Sequence, residues 1–159
     1  MNRFTKTLAL AAGVLAGALG ATAAQASAAN FVVDFALYNK DASASMIRAT
    51  SPLPTGITGL IDPAAAISPG GYDPATGNAT YSLPLPGVNN FAQTVLKYVN
   101  AGDGISNPCN FTIKVSHDSN PSPYLLHFAV DSPKCSVPGD VRSSTGQFTS
   151  QTYILNWAT

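Results

Sequence analysis

Few side chains in this sequence can move a proton or hold a metal: two histidines, eight aspartates, two cysteines and no glutamate at all. Imidazole is the side chain that exchanges protons near neutral pH, so His117, followed by Asp118 and a run of turn-forming residues, is the first candidate for a general base. The spacing argues against that role. Neighbours on a strand point to opposite faces, so Asp118 is not placed to orient the ring of His117. His127 falls on the opposite face of the same predicted hairpin, which argues against a metal shared by the two histidines.

No nucleophile stands in a working pattern. Gly104-Ile105-Ser106-Asn107-Pro108 begins like a nucleophile elbow and lacks its second glycine. Ser-x-x-Lys, His-Glu-x-x-His, phosphate-loop and dinucleotide patterns are absent from the sequence. Calcium at Asp73 or Asp103 would want an alternating acidic loop, and none is present. We expect no catalytic residue, no metal and no cofactor. Aromatic rings beside turns are the better binding candidates. Tyr72 in Gly70-Gly71-Tyr72-Asp73-Pro74, and Tyr124 with His117 flanking a Pro-rich loop, could meet a sugar, a lipid headgroup or a protein partner.

The compartment follows from the start of the chain. Arg3 and Lys6 precede an Ala- and Leu-rich apolar run that is too short for a bilayer, and Ala26-Ser27-Ala28 supplies small residues at a cleavage point. Residues 1–28 are therefore predicted to be a cleavable signal peptide of bacterial type, and residues 29–159 a single exported domain, secreted or periplasmic, with no transmembrane segment after cleavage. In an oxidising compartment Cys109 and Cys135 are expected to form a disulfide.

Without Arg3 and Lys6, six basic residues face eight aspartates, a net charge of −2. That balance disfavours nucleic acid as a partner. Charged residues make up only 10% of the chain, so copies repel one another weakly and self-association is open to it. The composition points to a non-enzymatic protein that binds, or forms part of, a cell surface, envelope or matrix. The alternatives are a glycan- or membrane-binding sandwich of lectin or toxin type and, further off, a small hydrolase.

The elements that would position these residues read as strands. Aspartate in place of glutamate weakens helices, and twelve prolines, all beyond residue 50, interrupt long segments. Phe31, Val33, Phe35 and Leu37 alternate in a first strand, and Tyr153, Leu155 and Trp157 share a face in a last one. Short strands are expected at 46–50, 56–61 and 79–83. Between 51 and 86 the chain is rich in proline and glycine, and turns are expected at 68–71 and 73–78. Residues 91–100 fit both a helix and a strand, with strand favoured by Thr, Val, Tyr and Phe.

Residues 111–130 form the best-determined unit, a hairpin. Matching apolar faces pairs Phe111 with Val130, Ile113 with Phe128, Val115 with Leu126 and His117 with Tyr124. Ser132 and Pro133 must then break the strand before Cys135 can reach Cys109. The predicted fold is all-β: a small antiparallel β-sandwich with long Pro/Gly-rich loops and one disulfide, its first and last strands lying side by side as antiparallel neighbours.

Overall fold

The computed structural model describes residues 29–49, 52–58, 66–73, 79–102, 108–118 and 123–157, with backbone alone at Tyr72 and Asp73. The expected leader and cleavage point lie outside the described residues, as does the turn expected at 73–78 except for Asp73, which ends the strand Tyr72–Asp73.

Among the described residues twelve strands form two six-stranded sheets: β1 (Asn30–Asn39), β2 (Met46–Arg48), β3 (Ile57–Thr58), β4 (Ala66–Ile67), β5 (Tyr72–Asp73), β6 (Ala79–Pro84), β7 (Phe91–Asn100), β8 (Cys109–His117), β9 (Tyr124–Val130), β10 (Cys135–Ser136), β11 (Val141–Ser143) and β12 (Gln147–Trp157). The first sheet runs β10-β12-β1-β6-β3, with β5 on the far part of β1, and the second runs β11-β9-β8-β7-β2-β4. The alternation read from the sequence decides which side chains meet between them. Phe31, Val33, Phe35 and Leu37 from β1, Tyr153, Leu155 and Trp157 from β12, and Phe111, Ile113 and Val115 from β8 are all buried in one core. Phe128 of β9 meets Tyr153 of β12 with ring centres 5.3 Å apart, which joins the inner faces of the two sheets.

The ambiguity at 91–100 is settled as strand. Thr94, Leu96 and Tyr98 pack inward, leaving Phe91 and Val95 outside. The hairpin has the expected register in full, including Lys114 opposite His127 on the outer face and His117 opposite Tyr124. The expected strands at 46–50 and 56–61 are found as β2 and β3, with residues 50 and 59–61 outside the described range. The turn at 68–71 closes through Gly71 N–H to the Ser68 carbonyl at 2.9 Å. Gly70 supplies the positive φ of 69° that a type II turn needs after proline.

Two expectations are corrected. β1 and β12 are neighbours, but they run parallel, from Val32 beside Gln147 to Asn39 beside Trp157. Parallel neighbours need a crossover, and here the intervening chain passes through the second sheet and re-enters the first at the end where β1 began. The ladder slips midway: Val33 pairs with Phe148 but Phe35 with Tyr153, so Thr149, Ser150, Gln151 and Thr152 bulge outward, all exposed.

The second correction concerns the disulfide. It leaves the open end of the hairpin as expected, but Cys135 belongs to β10, which pairs with β12 of the other sheet. Cys109 and Cys135, with Cα atoms 6.3 Å apart, therefore staple one sheet to the other. The break before Cys135 is a turn in which its N–H bonds to the Ser132 carbonyl at 3.1 Å. Beyond it, β10 and β11 form one segment that changes sheets at one side of the sandwich. The run β2 to β5 alternates between sheets at the other side.

Candidate functional site

At the end of the sandwich where β1 starts, residues 87–90 join β6 to β7. Asn90 N–H bonds to the Gly87 carbonyl at 2.9 Å, and Asn89 has a φ of 61°. This is a type II turn with asparagine at its third position, where a positive φ is required. The geometry lifts Val88 to the tip. Val88 is 56% exposed, Phe91 55% and Val95 39%, and these are the exposed large apolar side chains among the described residues. The whole set falls within residues 88–95. Lys114 on the neighbouring strand sets its ammonium 4.3 Å from the centre of the Phe91 ring, a cation–π contact that covers part of the ring.

Two of the residues singled out from sequence lie at this same end. His117 and Tyr124 stack with ring centres 4.8 Å apart and planes 21° from parallel. The His117 backbone bonds to Asn89 and Asn90 of the turn, so the stack and the exposed apolar stretch share one ladder. His117 Nδ1 is buried and has no hydrogen-bond partner among the described residues.

Tyr72 is not part of this cluster. Its backbone pairs with Tyr38, next to Asn39 and hence to Trp157 and Cys135, at the disulfide end. From Cys109 at that end, β8 runs to His117 across nine residues, which places the two ends roughly 27 Å apart.

A second pair was missed from sequence. His127 Nδ1 lies 2.7 Å from Asp140 Oδ1, both side chains about half exposed. An aspartate orienting an imidazole supplies two of the three members of a hydrolytic triad, but the residue directly across the ladder from His127 is Lys114 rather than a hydroxyl or thiol. Asp140 comes to His127 because the chain changes sheets after β10, and no local spacing signals that approach. Among the described residues no group of three His, Cys or Asp side chains is placed to hold a metal ion. No helix among them is long and apolar enough to cross a membrane.

The disulfide end holds a buried polar network with a structural task. Asn39, fully buried, donates through Nδ2 to the carbonyls of Ala44, Ile67 and Ser68 at 2.9, 3.0 and 3.2 Å. Its Oδ1 accepts from Asp41 N–H at 3.1 Å. Asp41 in turn accepts from the Ser43 N–H and hydroxyl, from Ala44 N–H, and from Asn100 Nδ2 at 2.7 Å. Led by the Ser43 N–H and then its hydroxyl, these donors pull the Asp41 carboxyl from its ordinary 3.8 down to about 2.

The sign of the pH dependence follows from that shift. A carboxyl held lower in the folded than in the unfolded state stabilises fully above the unfolded value, and loses that contribution as pH falls through the folded one. We expect the thermal midpoint to drop between about pH 4 and about pH 2, and Asp41→Asn to show a smaller drop over that window. Equal acid sensitivity in the two proteins would show that Asp41 is not the group responsible.

No family model matches the chain, and no curated protein and no solved structure matches it at a significant level.

Proposed function

We propose that this chain is an exported, non-enzymatic protein that works by contact, as a binding or structural component of a cell surface, envelope or matrix, and that residues 88–95 are its contact surface. One observation carries the reading: every exposed large apolar side chain among the described residues lies in that one stretch. Buried area drives association, and an apolar group left in water without a structural task marks a place where a partner gains most. The cross-sheet disulfide is compatible with an extracellular or periplasmic location. The leader read from the sequence supports the same route.

The test is fractionation of a diderm bacterial host expressing the full chain. The reading expects the protein outside the inner membrane, shortened by the leader when weighed by mass spectrometry, and recovered with insoluble envelope material. Phe91→Ser should reduce that recovery at least tenfold. Intact protein in the cytoplasm, or recovery unchanged by Phe91→Ser, would defeat it. A lipid-docking reading draws on Val88 at the turn tip beside Phe91. Co-sedimentation with liposomes of phosphatidylglycerol and phosphatidylcholine separates the two readings, because envelope recovery without liposome binding excludes lipid as the partner.

A further inference from the structure

We infer that β7 is an open strand edge and that a second copy of this chain covers it, in a two-fold antiparallel pairing centred on Gln93. The inference rests on the contact surface proposed above and names its partner.

The argument begins with the direction of the backbone groups. In an antiparallel ladder alternate residues turn both N–H and C=O to the same neighbour. Beside β2 the bonds run from Ala49 N–H to the Lys97 carbonyl and from Ala101 N–H to the Ser45 carbonyl, each 2.8 Å, so odd-numbered residues of β7 face β2 and even-numbered ones face β8. The bond from His117 N–H to the Asn90 carbonyl on the β8 side obeys the same parity.

β2, however, pairs only with residues 98–100. Beyond the bond from Ala49, no described residue of the segment after β2 makes a backbone hydrogen bond to β7. The edge-facing N–H and C=O groups of Phe91, Gln93 and Val95 accordingly have no backbone partner among the described residues. β11 likewise leaves β9 uncovered past Leu126, but over four residues against six in β7, and the free side of β12 is broken by its bulge. β7 carries no such bulge. It offers a straight edge with an aromatic and a β-branched side chain exposed on it, which is the pattern that recruits another strand.

Self-complementarity selects the occupant. Pairing two copies antiparallel with Gln93 opposite Gln93 sets Phe91 of each against Val95 of the other. It also lets all of these odd residues exchange both backbone groups. An aromatic ring opposite a β-branched residue is a favourable cross-strand pair. Moving the register by two residues loses one matched pair, and lengthening the contact is blocked at Lys97, where β2 already occupies the edge. The arrangement is isologous and closes on itself, so it yields a dimer rather than a fibre. Low net charge leaves little repulsion to oppose it. A contact this short falls below the size of a permanent interface, so the dimer is weak and concentration-dependent.

Sedimentation equilibrium of the purified chain lacking residues 1–28 tests this without any added ligand. The expected result is a monomer–dimer equilibrium between about 10 µM and about 1 mM. Gln93→Pro removes an edge-facing N–H and leaves the β8 ladder intact, so it should weaken the dimer at least tenfold while keeping the wild-type far-UV circular dichroism spectrum. Val95→Lys places cations at two symmetric points of the contact and should act the same way if the proline variant does not fold. A chain monomeric throughout that range, or a dimer unaffected by a folded variant of either kind, overturns the inference. Envelope recovery that depends on Phe91 in a strictly monomeric protein would leave the proposed function standing and remove only this partner.

Discussion

Asn39→Asp should destabilise the fold by about 4 kcal/mol, although it changes the shape of the side chain hardly at all. The Asn39 amide is fully buried and gives its hydrogens to the carbonyls of Ala44, Ile67 and Ser68. A carboxylate there presents oxygen to oxygen, strands those acceptors and brings a second negative charge next to Asp41. Asn39→Ala removes the donor without adding repulsion and should cost about 2 kcal/mol. The ordering of the two variants is the informative part, because cavity formation alone would make alanine the worse. Urea unfolding midpoints measure both. An aspartate variant within about 1 kcal/mol of wild type would show that the network does not hold the loops at that end.

Removing the disulfide is the second large effect. The bridge closes a separation of 26 residues, for which loop entropy gives about 3.5 kcal/mol. Replacing Cys109 and Cys135 together by alanine should lower the unfolding free energy by about that amount, a substantial fraction of a small domain's stability. Cys109 is fully buried and Cys135 is 7% exposed, so a thiol reductant must wait for the sheets to part. Reduction of the native protein should accelerate with urea in step with unfolding. Fast, urea-independent reduction would mean that the bridge sits on the surface.

Much of the fold is legible in the sequence because period-two alternation fixes which face is buried. Phe111, Ile113 and Val115 against Tyr124, Leu126, Phe128 and Val130 admit one register without burying Thr112, Lys114 or Ser116, and that register is the one observed. What alternation does not encode is where a strand goes next. The parallel course of β12 beside β1, the transfer of Cys135 to the opposite sheet, and the meeting of Asp140 with His127 all depend on the chain changing sheets at the sides. Those crossings are made by strands of two or three residues, too short to carry a period.

The proposed contact surface is hidden in the sequence for a different reason. In β7 apolar residues occupy both faces, Leu96 and Tyr98 inward and Phe91 and Val95 outward, so the pattern imitates a helix and conceals that two of its apolar residues face water. Of the residues named in advance, Tyr124 and His117 do share one place, through the cross-strand pairing that predicted it. Tyr72 is at the opposite end, because β5 pairs with the far part of β1.

The side-by-side course of β1 and β12 also bears on timing. Gln147 reaches the Asn30 carbonyl across 117 residues of chain, and the strand that starts there pairs along β1 from Val32 to Asn39. A polypeptide threaded through a translocation channel with its front end first cannot close this core until that late segment has emerged. Topologies governed by such distant pairings condense slowly, a property that suits the export proposed above.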